Sequence, residues 1–296
     1  MNTALLLTQT LNSLALAMNL FIIAAGLTLI FGVLRIVNFA HGAFYMLGAY
    51  VLYSVLGRFG GGPFAFWVGV AVAGGVLGAL AWIIERALLR RLYDRDHLVQ
   101  LLFTFALVLI IGDAVRIIWG TEQHAVSYPA GLGGAVDLFG IRYPAYLLFL
   151  IGVGPLVAIA LSWVIDHTRW GRIVRAARLD REMLAALGVN VKGVYAAVFA
   201  TGAALAGIGG ALAAPRMAVQ PGMDATIIIE CFVIVIVGGL GSLWGSFLGA
   251  LILGFVTNFG ILAVGEWEVV LIYLMMIVVL LARPWGLLGR PEQVRH

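Results

Sequence analysis

The sequence predicts an all-α, polytopic integral membrane protein with about eight to nine transmembrane helices, some of them short or broken. Three observations predict it. Of 296 residues, 63% are hydrophobic and 11% are charged, against roughly 25% charged in a soluble domain. The mean hydropathy is +1.07. Apolar runs of span length recur along the chain, and short polar stretches between them hold most of the arginines. The 38 glycines fit the same class, because small residues let membrane helices approach closely. Residues 1–296 read as one membrane domain, with residues 166–192 as a cytoplasmic loop inside it.

Leu14–Leu34 gives about 31 Å of helix, enough to cross a hydrocarbon core. The stretch R-I-V-N-F-A-H-G, Arg35–Gly42, then interrupts the apolar pattern. Ala43–Gly57 resumes it for only about 22 Å, so a partial or broken helix is expected. Arg58 and Gly60–Pro63 read as a turn. Phe64–Ile84 is a span, followed by 85–97 with Arg86, Arg90, Arg91 and Arg95. Leu98–Ile118 is a span, and 119–144 is a loop with Glu122, Asp137 and Arg142. Asp113 and Arg116 are placed for an ion pair on one helix face. Ala145–Ile165 is a span that Pro155 bends. The insertion 166–192 follows, then a span at Val191–Ala214 and a short loop at Pro215–Asp224. Ala225–Val264 is a long apolar run with Gly238–Ser242 in its middle. Glu266 and Glu268 mark a turn, Val269–Leu281 ends at Arg283-Pro284, and Arg290 and Arg295 lie in the tail.

Positive charge marks the cytoplasmic side. That places 85–97, 166–192 and the C-terminus inside, and 119–144 and 215–224 outside. The run Ala225–Val264 must then return to the side it left, so it should be a hairpin of two short arms around Gly238–Ser242. Gly42-Ala-Phe…Gly48-Ala49 echoes Gly245-Ser-Phe-Leu-Gly249-Ala250. An internal repeat with broken helices at matching positions is a transporter pattern. Irregular backbone at membrane depth is tolerated only where protein or a water-filled cavity covers it. The two interruptions, 35–42 and 238–245, therefore point to a translocation path. Its candidate residues are Asn38, His41, Gly42, Gly239, Gly241 and the carboxylate Glu230 on the apolar run. The plainer reading of Asn38 and His41 is that they satisfy backbone groups freed at a helix break. That of Glu230 is a wet position near the outer interface.

Several function classes drop out. Lys192 is the only lysine, in G-V-N-V-K-G, so no G-x-x-x-x-G-K-[ST] phosphate loop exists. No G-x-S-x-G, H-E-x-x-H or Cys/His ligand cluster is present. Cys231 is the single cysteine, so no intrachain disulfide forms, and it packs in an apolar run. Met1–Leu11 lacks the basic start of a signal peptide. The net charge of +4 reads as loop arginine, not as a nucleic-acid patch.

The insertion has its own pattern. Arg169, Arg172, Arg175, Arg178 and Arg181 recur every third residue. Ile173–Leu187 reads as one amphipathic helix at the inner membrane face, with Ala176, Leu179, Met183 and Leu187 as its apolar stripe. Gly188 stops it, with Asn190 beyond. A voltage-sensing helix shares the arginine spacing, but Gly171, Asp180 and Glu182 argue against a crossing. A lipid-contacting basic loop is the blander choice. The stripe, the mixed charges and the defined stop favour docking a partner.

Two segments carry a family resemblance. Gly26–Gly42, G-L-T-L-I-F-G-V-L-R-I-V-N-F-A-H-G, continuing through Phe44–Tyr50, resembles the N-terminal signature of branched-chain amino acid ABC transporter permeases of the LivH type. Asp180–Asn190, D-R-E-M-L-A-A-L-G-V-N, resembles the loop by which such permeases engage their ATPase. Gly238–Gly245 is similar to the family's late glycine-rich turn, and the likeness runs from about Leu11 to Gly289. The resemblance implies a membrane subunit of a bacterial importer in the cell inner membrane, translocating branched-chain or related hydrophobic amino acids into the cytoplasm. Its implied partners are a second, related permease, two ATPase subunits and a periplasmic amino-acid-binding protein. This chain would bind no cofactor and catalyse no reaction; ATP and magnesium would sit on the ATPases. Arg175, Arg178, Asp180, Arg181, Glu182, Ala185 and Gly188 would be the coupling residues. Movement of helix 173–187 would shift the spans 145–165 and 191–214. Urea and short-amide importers share the Asn-Phe/Met-Ala-His-Gly type of motif, so such an importer is the alternative. A stand-alone secondary transporter, supported by the repeat and Glu230, and a channel are the other classes.

Overall fold

The computed structural model describes residues 3–289 apart from Gly61, Pro63 and Phe139. Part of the expected Gly60–Pro63 turn, and the tail arginines Arg290 and Arg295, lie outside the described residues. The helices are α1 (Thr3–Leu34), α2 (Ala40–Phe59), α3 (Ala65–Ala87), α4 (His97–Trp119), α5 (Ala145–His167), α6 (Arg169–Leu179), α7 (Arg181–Ala186), α8 (Val191–Ala213), α9 (Met223–Gly238), α10 (Leu243–Val264) and α11 (Glu268–Ala282). Six of these, α1, α3, α4, α5, α8 and α10, are long and apolar enough to cross a membrane. The apolar helices α2, α9 and α11 complete the bundle, in keeping with the expected all-α polytopic class.

The helices alternate between two faces. His124 and Val219 exchange backbone hydrogen bonds, each 2.9 Å, so the loops 119–144 and 215–222 share one face, the one that the arginine distribution makes the outer face. Tyr143 donates to Asn12 Oδ1 at 2.9 Å, which puts the start of α1 there too. On the other face Arg90 Nη2 donates to the Lys192 carbonyl at 3.3 Å, joining 85–97 to the end of the insertion. This is the division that the arginine distribution predicts.

α1 and α8 form the centre. α1 lies against α5, α8 and α10, and α8 against α1, α2 and α3. Small residues set these distances. A Cβ on Gly48 would come within 2.5 Å of Gly207 Cα, and Gly26 packs on Gly202. Such close approach gives the dispersion contacts that hold helices together in lipid, where burial of apolar surface gives no net gain. The rim helices turn apolar side chains outward, as Ile110 and Ile117 on α4 and Leu274 and Leu281 on α11 show.

Four expectations need correction. The first interruption is shorter than 35–42: α2 begins at Ala40, so His41 and Gly42 are helical and α2 has 20 residues, not fifteen. Arg35, with φ 56°, ends α1, and its amide bonds the Phe31 carbonyl at 3.0 Å. A residue in the left-handed region just past a helix end is a common stop. The run 225–264 is a hairpin, but its arms are unequal: α9 has 16 residues and α10 has 22. Its turn lies at the inner face, not at membrane depth. The insertion is two helices, α6 and α7, because Asp180 is extended (φ −152°, ψ 101°) and caps α7. Finally, the loop 119–144 holds a small antiparallel hairpin, Ala135–Leu138 with Ile141–Pro144, in which Asp137 faces Arg142. Its short, mostly exposed strands left no apolar alternation in the sequence. Two local readings hold: Arg116 pairs with Asp113 at 3.1 Å, and Cys231 is buried and free. Pro155 lies within α5.

Candidate functional site

The site is built from the inner face outward. Thr168 caps α6, its hydroxyl accepting from the Gly171 amide at 3.0 Å. Gly171 lets α6 fold back onto the carbonyls of Val164 and Ile165. The bundle side of α6 is Gly171, Val174 and Ala177, and Leu184 continues it on α7. Val174, Ala177 and Leu184 cluster with Val33, Tyr195 and Val198. The predicted stripe is split: Ala176 packs against this cluster, while the other three face away from the bundle, Leu179 being 85% exposed, Met183 60% and Leu187 74%. Periodicity found an apolar face but not its direction, because small Ala177 and Gly171 do the packing.

Each predicted coupling residue has a definite place. Arg175 donates to the Ile165 carbonyl and to Asp166 Oδ1, the latter at 3.2 Å, and so ties α6 to the end of α5. Arg178 Nη1 donates to the Gly241 carbonyl at 3.0 Å. Asp180 Oδ1 accepts from the amides of Glu182 (3.0 Å) and Met183 (2.9 Å), capping α7. Arg181, Glu182 and Ala185 are exposed on α7. Gly188, with φ 81°, closes it by bonding the Ala185 carbonyl at 2.9 Å. Behind α6 lies a cavity of about 70 Å³, bounded by Thr28, Gly32, Trp170, Arg175, Arg178 and Gly241.

A second fastening was not read from the sequence. Glu85 is fully buried at the end of α3. The Tyr93 hydroxyl donates to it at 2.7 Å, and Arg90 lies 3.5 Å away. Burial, and then the Glu85 hydrogen bond, push the Tyr93 hydroxyl well above its usual pKa, so it stays a donor. With the Arg90 bond to Lys192, this cluster holds 85–97 against the start of α8. A lone carboxylate closing an apolar span is the signal that could have found it.

The two breaks are at different depths. Arg35–Phe39 turns back into the bundle. Thr104 on α4 donates to the Val37 carbonyl at 3.3 Å and accepts from the Phe39 amide at 3.4 Å. His41 Nε2 bonds the Ile23 carbonyl at 2.8 Å, three turns, about 16 Å, before the end of α1. A carbonyl only accepts, so Nε2 carries the proton, and Nδ1 is a lone pair without a partner. Asn38 is fully buried, and neither atom of its amide has a partner. Gly42 meets the start of α9, where an added Cβ would lie 2.5 Å from the Asp224 carbonyl. The plainer account, that these two side chains satisfy backbone freed at the break, fits neither: the Ile23 carbonyl lies inside unbroken α1, and the Asn38 amide has no partner.

Gly239 and Gly241 lie at the inner end instead. Both have positive φ, 105° and 76°. A Cβ on Gly239 would sit 2.6 Å from Gly289 Cα, and one on Gly241 2.9 Å from Gly32 Cα. The amides of Leu287 and Leu288 bond the carbonyls of Val237 and Gly238, at 2.9 and 3.0 Å, and so finish α9. The structure does not bring the two breaks together; α9 runs from one to the other. Glu230 is half-buried two turns into α9, not one, with Arg216 and Glu268 as charged neighbours. No group of three metal-ligating side chains occurs among the described residues.

Residues 9–280 match the family described as the permease component of the branched-chain amino acid transport system. The chain belongs to this permease family. It is 32% identical to the high-affinity branched-chain amino acid transport permease BraD of Pseudomonas aeruginosa, over 97% of this chain and 96% of that protein. It is 30% identical to LivH of Salmonella typhimurium, again over 97% and 96%. To LivM of Escherichia coli it is 25% identical, over 96% of this chain and 71% of that one. No solved structure gives a match. The permease is thus of the LivH type, a multi-pass membrane transport component and not an enzyme.

Proposed function

We propose that this permease is one of two membrane subunits of an ATP-driven importer, and that it carries branched-chain or related hydrophobic amino acids inward across the cell inner membrane. Its partners are a second, related permease, two ATPase subunits that hold ATP and magnesium, and a periplasmic binding protein that delivers the amino acid. The observation that carries this reading is the outward-turned apolar residues Leu179, Met183 and Leu187, set beside Arg181 and Glu182 on the inner face. On a water-facing surface such a patch is a docking site. A chain without a phosphate loop has a use for one: a motor subunit that binds there. Family membership supports the same reading. So do the names of the relatives, which belong to branched-chain amino acid transport systems.

Asn38, His41 and Gly42 border the path on this reading. Buried polar groups without partners are costly, about 1–3 kcal/mol each, and at membrane depth they mark routes for polar cargo. A free amino acid carries two charges past the midplane and needs donors and acceptors there. The test is reconstitution of the permease with its partner subunits in proteoliposomes. Uptake of radiolabelled leucine should require ATP and the binding protein. Met183→Asp should abolish ATPase co-purification and uptake together. Leucine uptake by vesicles that hold this chain alone would overturn the proposal.

A further inference from the structure

Resting on that reading, we propose that Arg178 is the positioning residue that ties the coupling segment to the α9–α10 pair, so that the motor's stroke reaches the Asn38–His41 break through α9. Sequence connectivity suggests another route, through the covalently attached spans α5 and α8. The geometry adds a third attachment. The Arg178 guanidinium donates to the Gly241 carbonyl at 3.0 Å across the inner end of the bundle. Gly241 stands in a knuckle of glycine backbones that cannot give. Gly32 Cα on α1 lies 2.9 Å from where its Cβ would be, and α9 and α10 meet backbone to backbone just behind it, a Cβ on Gly249 falling 2.5 Å from the Ile234 carbonyl and one on Gly245 2.8 Å from the Gly238 carbonyl carbon. A pull on the Gly241 carbonyl therefore moves α9 and α10 as a body, because close-packed backbone has no slack to absorb it.

The far end of α9 completes the route. Met223–Asp224 begins the helix beside Gly42, with the Asp224 carbonyl in contact with the first turn of α2. That turn carries His41 and follows Asn38, whose amide has no partner in this state. α9 is thus a bar about 24 Å long, fastened to the coupling segment at one end and to the α2 break at the other. A cavity of about 70 Å³ behind α6 leaves room for the fastening to shift without unpacking the helix.

The experiment uses the whole reconstituted importer. The bond has a charged donor, for which roughly a tenfold loss is the scale of its removal. Arg178→Ala should leave the ATPase bound and hydrolysing, while leucine moved per ATP falls about tenfold. Arg178→Lys, which keeps a donor of near length, should recover at least half of the ratio, as a merely structural role would not require. Spin labels at Arg172→Cys on α6 and Leu248→Cys on α10 give a second readout. Their separation should stay constant between nucleotide states with Arg178 present, and change by several ångströms in Arg178→Ala. If Arg178→Ala does not assemble, Arg178→Gln takes its place in both measurements. A transport-to-hydrolysis ratio within twofold of the parent, or labels that move apart equally with and without Arg178, overturns the proposal. Loss of ATPase association in the parent complex would overturn the reading beneath it instead, so the two failures are distinguishable.

Discussion

The two helix breaks of this permease answer the same sequence signal in opposite ways. Both interrupt an apolar run with small and polar residues, and both were read as candidate linings of a path. At Arg35–Phe39 the chain dives back to the level of Ile23 and leaves an Asn amide and a His nitrogen buried without partners. At Gly239–Ser242 it turns at the inner face: the C-terminal strap bonds the Val237 and Gly238 carbonyls before the turn, the Ser242 hydroxyl accepts from the Gly245 amide after it, and Arg178 donates to the Gly241 carbonyl within it. One break buries side-chain polar atoms without partners, and the other is tied at both ends and held by shape. A break with unmet side-chain hydrogen bonds suits contact with cargo; a closely packed break suits the transfer of force.

Four substitutions separate these roles, in order of decreasing effect. Gly239→Val combines a φ of 105° with overlap on the Gly289 backbone, and should cost about 3 kcal/mol of stability. A lowered thermal unfolding midpoint of the detergent-solubilised protein would show it; an unchanged midpoint would mean that the inner knuckle is loose. Gly42→Ala presses on the Asp224 carbonyl and Ile228 and should cost about 2 kcal/mol, with a larger loss of uptake than of stability. Equal losses would take the α2–α9 contact out of the mechanism. Asp180→Ala removes the α7 cap for about 1 kcal/mol; hydrogen exchange should rise at 181–186 and not on α6. Asn38→Leu should leave stability within about 1 kcal/mol or raise it, since no hydrogen bond is lost, while leucine uptake falls. A strong destabilisation would show that Asn38 is a structural member of the break.

Much of this was legible from composition and pattern. Spans such as Val191–Ala214 and Ala145–Ile165 were readable within a few residues, since lipid admits only long apolar helices. The sidedness of 85–97 and 119–144 followed from arginine. Arg175 and Arg178, the expected coupling residues, stood out as an arginine repeat, but their partners, Ile165 and Gly241, did not. Those contacts cross 10 and 63 residues of chain. Glu85 passed as one charge in a basic loop, although it is the buried hub of that loop.

By itself, the sequence determined that this chain lives in a membrane, which face its arginines seek, that it has no phosphate loop, and where its helices pause. Those follow from local transfer energies and backbone preferences, which each stretch carries on its own. Only the tertiary structure decided how deep each pause lies, which way the Leu179–Leu187 stripe turns, and that α9 joins the two pauses. Depth and direction depend on which glycine meets which across the bundle, and such pairings are a property of the packed whole.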